Sequence, residues 1–388
     1  MKTLYLTSIL VGLYVLPVIA QTLTAEQNSS ILNAKQGALI ELPGFLNTEI
    51  NIPRLYYQKV VLPGPQFIIS DDPEYIRVPE AIALQENVEP GRIRLYLYNV
   101  NGIKLPSQMI RKITAVIKNN GNQPLHLRML KYSSQKPSTN YFKVGKEGMA
   151  DFYAAKPQNI IRVIKPGNSI PIDEKLETNI VKYDELIHGI YEFIVDQPAE
   201  ISIIQTAPQT TSTKALTTIK TVLAPKSHSG AGRGLYGIAN YQINVKKVYN
   251  TQNGPGEVVV ADGSQDPWII GTENTTGQEV KDVGNYGVMY HINMKWRSAD
   301  GKGLALVIWN PRCGAMSATM IASKGKFDSG IIQLPSNKLI TKEASEGILV
   351  QLFLPNKNEE EQTINITYSP PAASCLPTPL VFIPVDMK

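Results

Sequence analysis

The chain has 388 residues, a formal charge of +5, 43% hydrophobic and 18% charged side chains, and two cysteines, Cys313 and Cys375. That much apolar surface against so little charge excludes general disorder, and the length exceeds what one hydrophobic core usually serves. The cations are scattered rather than gathered into a patch with interleaved aromatics, so no nucleic-acid groove is expected; the basic balance favours loose contact with anionic cell-wall polymers at most.

The opening stretch MKTLYLTSILVGLYVLPVIAQT places Lys2 before an apolar run from Leu4 to Ala20. The run contains Pro17, is short for a membrane span, and ends with Val18 and Ala20 at the small-residue positions of a cleavage site. It reads as a signal peptide over residues 1–20, with an uncleaved anchor as the alternative, and implies a secreted or cell-envelope protein. Residues 21–39 are polar and read as an N-terminal tether or a short helix.

From residue 40 to 206, alternating apolar runs separated by turn residues predict strands. In RIRLYLYNVNG, Ile93, Leu95 and Leu97 share one face and Arg92, Arg94, Tyr96 and Tyr98 the other, a half-buried strand entering a turn at Asn101-Gly102. KITAVIKNNGNQPLHLRML breaks at Asn119 to Pro124, as at a hairpin or an inter-sheet connection. VGKEGMADFYAAK predicts a short helix, and IDEKLETNIVKYDELIHG another turn of one. Residues 207–232 are rich in Thr, Ser, Pro and Gly and read as a linker. Strands resume with YQINVKKV, VMYHINMKW, LALVIWN, GILVQLFLP and QTINITYSP, giving a second unit over residues 233–388. The fold expected is mainly β: two antiparallel β-sandwich (Ig-like) domains with short helical insertions.

Few constellations promise chemistry. Gly232, Gly234 and Gly237 fit G-x-G-x-x-G, but a linker precedes them and a strand pattern follows, where a dinucleotide loop needs a strand before and a helix after. The glycines are expected in turns that lead into a strand from about Tyr241. The loop ADGSQDPWIIGTENTTGQEVKDVG carries Asp262, Asp266, Glu273, Glu279 and Asp282, hard oxygen ligands that calcium takes, though without EF-hand spacing. The alternative is turns at Asp262-Gly263 and Asp266-Pro267, with the remaining acids solvated. His126, His188, His228 and His291 are isolated, His126 and His291 on polar strand faces, and no zinc motif or nucleophile elbow occurs. Trp296 and Trp309 lie in strands and are assigned to the core, whereas Trp268 lies in the loop as a candidate contact for sugar. Cys313 and Cys375 either form a disulfide, as export would allow, or remain separate buried thiols.

The phrases ELIHGIYEF, GRGLYG, ADGSQDPWIIGTE, VGNYGVMYHI, WNPRCGAM and ITYSPPAASCLPTPLVFIPV resemble a family of uncharacterised bacterial secreted proteins. Some members carry an added copper-amine-oxidase-like N-terminal domain, whose strand repeat is absent from this chain. The resemblance covers the chain from about residue 70 onward. It implies an envelope or extracellular location and transfers no active site and no cofactor.

The expected function is therefore an exported binding or structural protein without catalytic activity, with other envelope proteins, the matrix or cell-wall polymers as partners. Homo-oligomers or filaments formed through sheet edges stay open. The alternative is a carbohydrate-binding or carbohydrate-active protein using Trp268, Asp262, Asp266 and Glu273 in the loop 262–282. No cofactor is expected, apart from calcium at that loop.

Overall fold

The structure is a computed structural model and describes residues 22–47, 52–104, 109–225, 232–312, 315–356, 358, 360–370 and 373–388. The expected signal peptide, His228 and Cys313 lie outside the described residues; Cys375 is exposed. No helix among the described residues is long and apolar enough to cross a membrane.

The fold is mainly β, with several sheets and none of them closed. Four α-helices accompany the strands among the described residues: α1 (Ala25–Asn33), α2 (Tyr141–Ala154), α3 (Glu174–Thr178) and α4 (Ser212–Thr218). A four-stranded sheet runs Ser169–Pro171, Lys112–Asn119, Ala199–Thr206, Ala81–Val88. A nine-stranded sheet centres on Gly91–Asn101 and Leu186–Val195 and ends at Ile160–Ile164 on one edge and Gln278–Lys281 on the other. A seven-stranded sheet has Tyr57–Val61, Asn240–Val245, Met289–Arg297, Gln362–Tyr368, Ala318–Ala322 and Gly330–Leu334 in order, with Tyr249–Asn250 added beside Met289–Arg297. A five-stranded sheet runs Leu39–Glu41, Glu346–Phe353, Gly303–Trp309, Leu380–Val385, Gly256–Val258.

Strands from either side of residues 207–232 share sheets. Arg233–Tyr236 pairs with Gln66–Ser70, Asn240–Val245 with Tyr57–Val61, and Leu39–Glu41 with Glu346–Phe353. Not every pair is antiparallel, as the sequence reading expected: Gln66–Ser70 runs parallel to Gly91–Asn101, and Asn240–Val245 parallel to Met289–Arg297. Parallel neighbours need a crossover between them, and intervening strands in other sheets supply it.

Apolar burial explains the layering. The four-stranded and nine-stranded sheets enclose a core that includes Leu84, Leu95, Ile117, Phe193 and Ile203. A larger core joins Tyr96, Phe152, Ile292, Trp296, Leu306 and Phe382 across the nine-, seven- and five-stranded sheets and α2. The other face of the five-stranded sheet buries Trp309, Leu349 and Val381 against Ile31, Phe45 and Leu46, so the expected tether is a packed element. Thr24 opens α1 with a reciprocal capping box to Gln27, which satisfies two donors that the first turn cannot. Within the expected linker, α4 lays Ala215 against Ile82, Val116 and Ile204 on the outer face of the four-stranded sheet.

Several local expectations are borne out. Trp296 and Trp309 are in the core, the helices predicted in VGKEGMADFYAAK and IDEKLETNIVKYDELIHG are α2 and α3, and LALVIWN is a strand. Others need correction. From Ile93 onward, Gly91–Asn101 is buried on both faces, because α2 and the seven-stranded sheet cover the side that bears Arg94 and Tyr96. Asn101-Gly102 is no hairpin turn: the Asn101 carboxamide donates to the carbonyls of Met109 (2.8 Å) and Val181 (2.9 Å) and clamps two segments inside the protein. Gly234 does not sit in a turn but in the strand Arg233–Tyr236 with φ +120°, where a Cβ would lie 2.5 Å from the Thr272 carbonyl oxygen. Close strand approach thus accounts for this glycine, and no helix follows Gly237.

Candidate functional site

The acidic loop is held from within. Asp262 accepts from the Arg54 guanidinium at 3.0 Å, the Ser264 hydroxyl at 2.6 Å and the Asp266 amide at 2.9 Å. Burial works against its charge, but the Ser264 and Asp266 donors and Arg54 hold the Asp262 carboxyl below the usual range. Asp266 is fully buried and accepts from the Ala261 amide (2.6 Å), the Tyr290 hydroxyl (2.7 Å) and Lys59. Trp268 is half-buried, its indole N–H 3.4 Å from the Ala261 carbonyl and its ring against Gly263.

Glu273 belongs to a different set of contacts. Its carboxylate is fully buried and takes the Arg233 guanidinium at 2.6 Å, the amides of Thr275 and Thr276 at 3.0 and 2.9 Å, and the Thr276 hydroxyl at 2.8 Å. Burial opposes ionisation here too, yet the Thr275 and Thr276 bonds and Arg233 bring the pKa down to about 2. Asp282 is fully buried with one oxygen on the Tyr286 amide and the other without a donor, and burial raises its pKa well above the carboxylate range.

The structure therefore brings Asp262, Asp266 and Trp268 together and leaves Glu273 with Arg233. Asp266, Glu273 and Asp282 are buried rather than solvated, and the partners of Asp266 and Glu273 occupy lone pairs that calcium would need. Among the described residues no group of three or more His, Cys, Asp or Glu side chains is placed to hold a metal ion. A depression of about 600 Å³ beside α1, lined in part by Leu23, Asn28, Phe45, Gln252, Asp300 and Asp386, shares no residue with the loop.

Two buried polar features escaped the sequence reading. Arg94 donates to Glu192 at 2.7 and 2.9 Å, to the carbonyls of Ala239 (2.8 Å) and Gly287 (3.2 Å), and to the Asn240 carboxamide (2.9 Å). It ties the nine-stranded sheet to the first residues of two strands of the seven-stranded sheet. Burial opposes the Glu192 charge, but Arg94 and Arg92 keep its pKa lowered. His188 is 1% exposed between the ring edges of Tyr96 (5.2 Å) and Tyr98 (6.1 Å), with no partner on either nitrogen. Burial lowers its pKa to about 4.

One surface combines exposure with order. On the outer face of the seven-stranded sheet, strand register aligns Gln58, Asn244, Asn293 and Asn365 in one row across four neighbouring strands. The next row reads Val60, Gln242, His291, Thr367, Ile321 and Ile331. Within the rows the Asn293 amide donates to Asn365 at 2.9 Å, and His291 Nδ1 lies 3.3 Å from the Thr367 hydroxyl. Burial, with the nearby cations Arg94 and Lys131, lowers the His291 pKa. The Tyr56 carbonyl accepts from the Lys246 amide at 2.9 Å, extending the pairing of Tyr57–Val61 by one residue, and the Tyr56 side chain is 76% exposed. Period-two alternation in YQINV, HINMK and TINITY displays these polar faces in the sequence, but register alone aligns them.

The chain matches no protein-family model and no curated protein.

Proposed function

We propose that the protein is an exported cell-envelope or extracellular binding protein without catalytic activity, whose partners are matrix or cell-wall polymers or other envelope proteins. What carries this reading is the contrast between its two polar regions. The acids of the loop 262–282 that a hydrolase would need are committed to Arg54, Lys59, Tyr290 and Arg233, while the outer face of the seven-stranded sheet offers neutral hydrogen-bonding groups to solvent. The N-terminal sequence supports export, and the resemblance to secreted bacterial proteins agrees with it. Two antiparallel Ig-like sandwich domains, over residues 40–206 and 233–388, remain part of this reading as a proposal.

Cell fractionation with N-terminal sequencing tests the location. The expected result is a mature chain beginning after Ala20 in the envelope or the medium. A cytoplasmic protein that retains residues 1–20 overturns the reading.

A further inference from the structure

We infer that the outer face of the seven-stranded sheet binds a carboxylate-bearing polysaccharide, with Tyr56 as the stacking platform and Gln58, Asn244, Asn293 and Asn365 as the groups that read its hydroxyls. This rests on the proposal that the protein binds an envelope or matrix polymer and places that activity away from Trp268.

Three features of the face point to this ligand. First, adjacent strands lie about 4.8 Å apart, so the row presents a carboxamide at that interval, and each carboxamide can both donate and accept. A hydroxyl-rich chain lying across the strands meets that pattern with complementary groups. Second, Tyr56 stands on the same side as Gln58 and Val60 by strand alternation, at one end of the row, and offers an apolar ring face with a polar tip. Third, the charge around the rows is positive. Lys246, Lys247, Lys295 and Arg297 are exposed, against the exposed acids Glu360 and Glu361 before Gln362–Tyr368, of which Glu361 is paired with Lys295 at 3.6 Å. The outward residues of the two rows include no acid.

The face is also open. At one end α2 covers it, with Thr319 donating to the Lys146 carbonyl at 2.8 Å and the Tyr153 hydroxyl 3.7 Å from the Met289 sulfur. Beyond α2, Gln58, Lys295, Thr363 and Asn365 are exposed, and Asn244, His291, Asn293 and Thr367 are half-exposed.

The test is isothermal titration of the purified mature chain with polygalacturonate, neutral dextran and inorganic polyphosphate. Polygalacturonate is expected to bind, dextran about tenfold or more weakly, and rising salt to weaken the polygalacturonate complex. Tyr56→Ala, and separately Asn365→Asp, are expected to lower affinity by about tenfold or more, with circular dichroism melts unchanged because both positions are exposed and an oxygen of the new carboxylate still accepts from Asn293. The inference fails if wild type does not bind polygalacturonate, if polyphosphate binds as well, or if Trp268→Ala abolishes binding while Tyr56→Ala does not. Fractionation tests export independently, so a failure in either experiment leaves the other interpretable.

Discussion

Replacing Glu273 by Gln removes the charge that balances Arg233, a guanidinium 1% exposed, and leaves one accepting oxygen where the carboxylate has two, one for Arg233 and the Thr275 amide and one for Thr276. In the folded protein the Glu273 pKa is lowered from 4.5 to about 2. A shift of about 2.5 units corresponds to about 3 kcal/mol of stability. Because the folded pKa is depressed, that contribution is complete above the unfolded pKa and is lost as pH falls toward the folded value. Breaking a buried pair from one side costs about 3–5 kcal/mol in other proteins, so the two routes to the magnitude agree. Urea unfolding of wild type, Glu273→Gln, Arg233→Met and the double variant at pH 7, 4 and 3 measures it. Glu273→Gln is expected to lose about 3 kcal/mol at pH 7, with the deficit shrinking steadily below pH 4.5. The double variant should recover part of the loss, since it leaves no buried charge unpaired. A deficit at pH 7 below about 1 kcal/mol, or one that does not change with pH, would refute a structural role for the pair.

Two further substitutions probe buried groups in different pH windows. His188 titrates near pH 4 in the folded protein against 6.5 when exposed, so wild type should lose stability between pH 6.5 and 4 as unfolded chains take up the proton first. His188→Leu should flatten that slope in thermal melts, and an unchanged slope would mean that the ring is already solvated. Asp282 has its pKa raised by burial, which costs stability at neutral pH, so Asp282→Asn should melt higher than wild type at pH 7 and converge with it toward pH 4. A lower melting temperature at pH 7 would show that the Oδ2 atom has a partner that Asn cannot replace.

Elements legible in the sequence were those set by local pattern. Alternation placed Met289–Arg297 and a continuous apolar run placed Gly303–Trp309, which is buried throughout. What local pattern could not supply was partnership. LALVIWN follows VMYHINMKW through a short turn, yet the two strands lie in different sheets, and the neighbours of the second are Glu346–Phe353 and Leu380–Val385. The polar face of RIRLYLY looked solvent-facing because Arg and Tyr occupy it. Arg94 is buried there because Glu192 and the carbonyls of Ala239 and Gly287, which lead into two strands of the seven-stranded sheet, satisfy its donors, a compensation only the fold reveals. The loop 262–282 is visibly acidic in the sequence. Its acids were misread as available because their partners, Arg54, Lys59 and Tyr290, are remote in sequence. The carboxamide row was hidden for the same reason: each strand shows one or two polar positions, and alignment across strands creates the feature.

The pairing of Leu39–Glu41 with Glu346–Phe353 sets the order in which the chain can finish folding. During synthesis, residues 39–41 must wait for residues 346–348 before their hydrogen bonds close. Tyr57–Val61 waits likewise for Asn240–Val245. Such long closures slow folding and keep strand edges open in the meantime. A chain built this way stays unfinished until both halves of each pairing are made, and the strand edges exposed in the meantime are where intermolecular pairing competes with folding.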